Sequence, residues 1–540
     1  MGVSRRDFLK AGTGAAVLAA TPRWLAVHAA PGAPLAPPIT DPDVKPLALR
    51  ALDAARSAGA AYADVRLTHT YTRSFEPYHR TIEEAEEMAA GVRALVNGYW
   101  GFASGPYWTP DEMARLGREA VAHAKANALG AARVVELGKV PVVADGHWET
   151  PVEIDPFTVP VDEVFDYLRG LMIYTAATYP GVSAQVACDF YRQEKAFAST
   201  EGTFVTQTLY RTGGGFGISY DNEKYRTDDR LPTTIASPLL GRAGRGWEYI
   251  REAPLREEVP ILMARLEEDW RLPFKPIEAG RYDVVLDAHG VSMLLASTIG
   301  AATELDRALG YEANAGGTSW LNRPLAMLGT EPVGAPLLTV TGDRSTPGAL
   351  ATVKWDDEGV EPEPFTLVKD GILADFQTTR EGAGWLAEYY TKHGKPVRSH
   401  GCANAPSALH ATMEHPPNLA ITPARSDVGL DDLIAGLEKG IFIAGLTVDT
   451  DFQHLNGESR SGRFYEVRNG KKVAHLTGAG MLFRAPGLWK SLTALGGAKS
   501  LEWRSATMPK GEPMRNGAFS VGAVPARFKD VTIIDRTRKA

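Results

Sequence analysis

The sequence predicts an α+β protein, with helices on a mixed sheet in its first half and a largely antiparallel β region in its second. Three observations predict it. Stretches of helical and strand period alternate from Leu47 to about Arg271, whereas the chain beyond Gly280 reads mostly as strand and turn. Pro273 to Gly280, with two prolines, punctuates the change. The chain of 540 residues is too long for one core, and its 44% apolar and 23% charged content is that of a globular protein.

Each element follows from local pattern. Ala61 to Arg66 reads as the opening strand, after a helix over Ala51 to Ala58 that stops at Gly59. A second helix over Asp111 to Ala126 starts after Thr109-Pro110 with two acidic residues in its first turn. Val161 to Tyr179 is amphipathic, with Val161, Val164, Leu168, Leu171 and Met172 near one face. Strands follow at Ser183 to Tyr191, Lys195 to Ser199 and Thr203 to Gly217, the last two joined by the Glu201-Gly202 turn. A charged helix covers Glu257 to Leu272. In the second half, Tyr282 to Leu286 leads to a helix whose apolar face holds Val291, Leu294, Leu295, Ile299, Leu305 and Leu309. Further strands are expected at Leu337 to Thr341, Ala351 to Trp355, Pro364 to Lys369, Gly440 to Leu446, Arg463 to Arg468, Lys472 to Leu476 and Val531 to Ile534. Asn469-Gly470 is a hairpin turn.

The expected organisation is a leader over residues 1–30, a Pro/Ala-rich linker over 31–46, an α+β domain over 47–272 and a β-rich domain over 273–540. Adjacent Arg5 and Arg6 followed by Phe8-Leu9-Lys10, an apolar run from Ala11 to Ala20 and a small-residue exit at Val27-His28-Ala29 form the twin-arginine export pattern. That pattern implies a periplasmic or extracellular protein. No cysteine follows the apolar run and no later run is long enough to span a bilayer, so no stable membrane anchor is expected. Net charge is −7, without a basic cluster interleaved with aromatics, which argues against nucleic acid as a partner. Cys188 and Cys402 are the only cysteines and are expected to be free, buried thiols.

Several motifs in order resemble the TldD/PmbA (TldD/TldE) metallopeptidase family over roughly residues 45 to 535. They are Gly91-Val92-Arg93 with Gly98-Tyr99-Trp100-Gly101-Phe102-Ala103, then Asp356-Asp357-Glu358-Gly359, then the hairpin Leu367 to Leu373. The resemblance implies a two-domain architecture and a His-Glu-x-x-x-His zinc motif on the helix after His289, with a cysteine near the C-terminus as third ligand. Here Ala296 and Ala301 occupy the histidine positions and Ser297 the glutamate position, while Met508 lies nearest the cysteine. Methyl groups offer zinc no electron pair and a thioether is a weak ligand. This divergence implies no cofactor of the family kind, with zinc expected only if a site exists elsewhere. It also leaves open whether the chain is an enzyme. The implied role is that of a zinc-free partner subunit beside a zinc-bearing paralogue, completing a chamber for an extended peptide in proteolysis. Two alternatives are a stand-alone peptide or amide hydrolase with a rebuilt metal site, and a homo-oligomeric peptide-binding protein.

Other constellations have a bland reading beside the functional one. Glu304 and Asp306 either line a retained groove or, as the commoner case, belong to a solvated helix end. Asp356, Asp357 and Glu358 either position substrate or form a tight acidic turn. His393, His400 and Cys402, with His410 and His415 nearby, could rebuild a metal site or be scattered loop side chains. Gly213 to Gly217 lies inside a strand, which argues against phosphate binding, and Gly457-Glu458-Ser459-Arg460-Ser461 fails the nucleophile-elbow pattern.

Overall fold

The computed structural model describes residues 38–129, 134–220 and 234–537. The leader with Arg5 and Arg6, and the linker as far as residue 37, lie outside the described residues. The rest of the linker is short, because helix α1 (Val44–Ala58) starts before the expected Ala51 and stops at Gly59, whose φ of 104° closes its last turn.

The first half is a single seven-stranded sheet. Its strands are β1 (Tyr62–Glu76), β2 (Thr81–Val96), β3 (Tyr99–Gly105), β4 (Gly146–Glu149), β5 (Val182–Ser199), β6 (Phe204–Tyr220) and β7 (Thr234–Ala236). They run in the order β3-β2-β1-β5-β6-β4, with β7 on β6. All pairs are antiparallel except β4–β6, so the sheet is mixed as expected. The expected break at Arg192–Glu194 is absent. Gln193 is buried and donates to Thr70 Oγ1 at 3.0 Å, so polar side chains are satisfied within a continuous strand. Helix α2 (Pro110–Asn127) is capped by Thr109, whose hydroxyl accepts from Glu112 N. Helices α3 (Val161–Thr178) and α4 (Leu255–Arg271) bury Leu168, Leu171, Leu262 and Leu266 with Val182, Ala184 and Ile218 of the sheet.

Seven later strands frame the second half: β8 (Gly280–Leu286), β9 (Lys439–Thr450), β10 (Asn456–Arg468), β11 (Ala479–Arg484), β12 (Glu502–Lys510), β13 (Arg515–Ala523) and β14 (Ala526–Asp535). The pairings β8–β14, β14–β11, β11–β10, β10–β9 and β9–β8 close a five-stranded ring, parallel only at β9–β8. Closure removes the edges a small open sheet would expose. A second sheet runs in the order Ile372–Leu373, Phe365–Lys369, Val340–Asp343, Asn418–Ile421, β13, β12. Among the described residues β12 is therefore an edge strand. Ala351 to Trp355 is not a strand. Its backbone is held instead by side chains, with Arg344 Nε donating to Ala351 O and Gln207 Oε1 accepting from Lys354 N and Trp355 N.

Candidate functional site: a chamber on a widened helix

Helix α5 (Ala288–Leu295) leaves β8 through Asp287, whose carboxylate accepts from Gly290 N at 2.7 Å and, from the other oxygen, Gly445 N at 2.8 Å. Its apolar face is buried against the ring, as the sequence pattern requires. The helix then widens into a π turn over Ala296–Gly300, and the Ala301 amide donates to Ala296 O. That i→i+5 closure matters, because residues five apart fall on different faces of an ordinary α-helix but stack in a π turn. The widening is pinned from behind by Trp489, whose indole donates to Thr298 Oγ1 at 2.9 Å.

Ala296 and Ser297 line a cavity of about 860 Å³, together with Arg307, His454, Met508 and Lys510. Ala301 is fully buried and does not line it. The His454 backbone is left-handed, with φ 55°, and the turn before it is held by Asp451, which accepts from Leu455 N and Asn456 N. His454 Nδ1 lies 3.1 Å from Ser297 O and 3.1 Å from Thr450 Oγ1, whereas its Nε2 is buried without a partner among the described residues. Burial, reinforced by Arg307, pushes its pKa down and keeps the ring neutral.

Behind the wall lies a buried ion network that local sequence did not reveal. Glu304 and Lys510 are fully or almost fully buried, and Arg307 is 1% exposed, so the solvated-helix-end reading of this segment is overturned. Arg307 Nε donates to Glu304 Oε2 at 2.7 Å, and Lys510 Nζ lies 3.2 Å from Glu304 Oε1 and 2.7 Å from Asp306. Burial alone would raise the Glu304 pKa, but Lys510 and Arg307 outweigh it and hold the carboxylate below its ordinary value. Lys510 ends β12, some two hundred residues away, so only the tertiary fold makes the pair.

The donor set does not fit the zinc ion that the sequence resemblance implies for catalytic relatives. Two motif positions are methyl groups, the third is a hydroxyl, and Met508 Sδ already receives an Arg307 Nη2 contact at 3.8 Å. A guanidinium there would also repel a divalent cation. Among the described residues no group of three His, Cys, Asp or Glu side chains is arranged to hold a metal ion. His393 lies on the Tyr389 ring, His400 stacks on Phe365 at 4.0 Å, and Cys402 is fully buried with its thiol pKa pushed up by desolvation. These three do not form a rebuilt site. Cys188 and Cys402 are both free and buried.

The acidic motif has a different use. Asp356 accepts from Glu358 N and Val360 N with one oxygen and Ala403 N with the other, while Asp357 pairs with Lys195 of β5 and accepts from Ala405 N. Glu358 takes Arg93 of β2 at 3.0 Å and Arg380 N at 2.7 Å, and Arg93 also holds Asp64 of β1 at 2.6 Å. Asp356 and Asp357 are thus consumed by a knot that ties the first sheet to the later strands, and neither lines the chamber. Glu358 reaches the edge of a second, smaller pocket.

The comparisons agree with this architecture. Residues 279–534 match the PmbA/TldA metallopeptidase C-terminal domain. A metalloprotease of Methanocaldococcus jannaschii is 24% identical over 433 residues, covering 78% of this chain and 86% of its own. A metalloprotease TldD homolog of Haemophilus influenzae is 26% identical over 218 residues, 38% of either chain. The crystal structure of TldE from Thermococcus kodakarensis superposes with a TM-score of 0.65 at 13% identity, covering 90% of this chain and 99% of that one, which bears on the fold alone. With the ordered motifs, these likenesses place the chain: it belongs to the TldD/PmbA family and is a metallopeptidase-like protein.

Proposed function

We propose that this protein is an exported, zinc-free partner subunit of a two-subunit peptidase, holding an extended peptide while a zinc-bearing paralogue hydrolyses it. The observation that carries the reading is the π turn at Ala296–Gly300 beside a chamber of about 860 Å³, with alanine at the motif's two histidine positions and serine at its glutamate position. A scaffold shaped for chemistry without the groups that perform it fits a role in completing a shared site. The peptide-binding part is supported by β12, an edge strand whose residues Ser505 to Lys510 form one wall of the chamber. An edge strand offers unpaired backbone groups to which an extended peptide adds as a further strand. The twin-arginine pattern around Arg5 and Arg6 supports export of the folded protein.

The test is reconstitution. Mature protein, purified without a metal-binding tag, is assayed on a peptide library alone and with a zinc-bearing family paralogue, and its metal content is measured. The reading expects hydrolysis only in the mixture, together with a stable heteromer. Hydrolysis by this chain alone with near-stoichiometric metal would overturn it in favour of a stand-alone hydrolase. Peptide capture without turnover or heteromer would instead indicate a homo-oligomeric binding protein.

A further inference from the structure

The pocket beside the acidic knot has a composition unlike the chamber's. It encloses about 280 Å³ between β2–β3 of the first sheet and the segments that follow the widened helix. That volume falls just under the range of whole small-molecule pockets, about 300–1,000 Å³, and suits one long side chain or one terminal residue. Glu312, Glu381 and Glu414 line it, and none has a cationic partner within ion-pair distance among the described residues. The one cation in the lining, Arg93, is already committed to Asp64 and Glu358.

Two of these carboxylates are deeply buried and half used. Glu414 is 2% exposed, and its single hydrogen bond comes from Leu305 N to Oε1. Glu312 is 3% exposed, and Gly511 N donates to its Oε2 at 2.9 Å. In each, the second oxygen has no hydrogen bond among the described residues, although the side chain borders the pocket. Neither second oxygen is sealed off from the pocket, so each is open to a donor that enters it. Burial pushes the Glu414 and Glu381 carboxyls up.

The remaining walls say what kind of donor. Trp100, Phe102, Tyr311 and Trp385 surround the carboxylates, with the Tyr311 and Trp385 rings 5.2 Å apart and tilted by 31°. Aromatic faces attract organic cations and offer little to a hydrated metal ion. The carboxylates are also not clustered as metal ligands are. Glu312 and Glu414 each offer one open oxygen, while Glu381 already accepts from Trp100 Nε1 and the Tyr311 hydroxyl. Such separate acceptors suit the divergent protons of an ammonium better than the planar fork of a guanidinium.

We propose that this pocket binds a primary ammonium group of a peptide, either its N-terminus or a lysine side chain. The proposal names the substrate class for the peptide-holding role above and rests on that reading. A peptide threaded along β12 would carry its ammonium into this pocket past the hairpin that holds Lys510 and Gly511.

Calorimetric titration of the mature protein tests it with three small probes: alanine N-methylamide, N-acetyl-lysine N-methylamide and N-acetyl-norleucine N-methylamide. One of the first two should bind about tenfold or more tightly than the neutral norleucine probe, and which one does so identifies the source of the ammonium. The double variant E381Q/E414Q should erase that preference. Equal binding of charged and neutral probes to the wild-type protein would overturn the proposal without any variant needing to fold. A lysine-free peptide with an acetylated N-terminus separates the two readings: if it is still captured while the ammonium probes are not, the pocket assignment fails and the peptide-holding role stands.

Discussion

The acidic knot and the chamber both fall at stretches that resemble family motifs, and they differ in what their side chains do. In the knot all three acidic residues of Asp356-Asp357-Glu358 are buried; Asp357 and Glu358 pair across the two halves, and Asp356 accepts from backbone amides of the second half. In the chamber the helix is widened into a π turn, while the positions matched to the zinc motif carry methyl groups and a hydroxyl. The difference separates two reasons for keeping a motif. Residues that hold the fold stay, because leaving one buried charge without its partner is costly. Ligands do not stabilise the chain that carries them unless the metal is bound, so they can go while the backbone that displayed them remains.

The largest effect should come from the knot. Arg93→Met strips two buried carboxylates, Asp64 and Glu358, of their shared cation. Loss of about 3–5 kcal/mol is expected, read from urea unfolding at neutral pH. A loss below about 1 kcal/mol would mean that the knot is not what ties the halves together, and the contrast would collapse.

Gly359→Ala should be the next largest. Gly359 closes the acidic turn at φ 74°, and an added Cβ would lie 2.5 Å from the Phe197 ring of β5. Left-handed strain and displacement of the ring together should cost about 1–3 kcal/mol by the same measurement. The loss should add to that of Arg93→Met only in part, because both changes act on one interlock.

How much of the structure is legible in the sequence depends on the range of the interactions involved. Helices α2 and α3, the Asn469-Gly470 turn (φ 46° and 75°) and most strands of the ring were legible, since period, caps and turn residues act within a few positions. The unbroken β5, the side-chain-held loop over Ala351 to Trp355 and the burial of Glu304 were not. Each depends on a partner far along the chain: Thr70 for Gln193, Gln207 for Trp355, Lys510 for Glu304. The departure from the zinc motif at Ala296, Ser297 and Ala301 is read directly from the sequence because the motif is local. The carboxylates of the ammonium pocket were not gathered by any pattern, as Glu312, Glu381 and Glu414 meet only in three dimensions.

Outside the knot the first effect to measure is a dependence on pH. His415 packs against β13, where a Cβ at Gly517 would lie 2.4 Å from its Nδ1. Burial, reinforced by Lys510, holds its pKa down to about 3 against an ordinary value of 6.5. The unfolded chain then binds a proton that the folded one refuses. The stability this neutral imidazole contributes is present above pH 6.5 and is lost as pH falls from there toward 3, with a slope of up to about 1.4 kcal/mol per unit. His415→Gln should flatten that slope in urea unfolding curves taken between pH 7 and 4. An unchanged slope would place the acid sensitivity elsewhere, with the carboxylates of the knot the first to be tested.

Ser297→Ala should do least of all. Ser297 stands where a catalytic relative would carry its general base, yet it is the backbone oxygen of Ser297, not the hydroxyl, that meets His454 Nδ1 at 3.1 Å. Removing the hydroxyl leaves that contact and the π turn intact, so stability should stay within about 0.5 kcal/mol and partner-dependent hydrolysis should be unchanged. The measurement is steady-state hydrolysis by the reconstituted heteromer, with the kcat and KM of wild-type and variant compared. A fall in kcat with KM preserved would be the most damaging result for the contrast between knot and chamber, because it would mean that this position still acts in the transition state and that the chamber has replaced its chemistry.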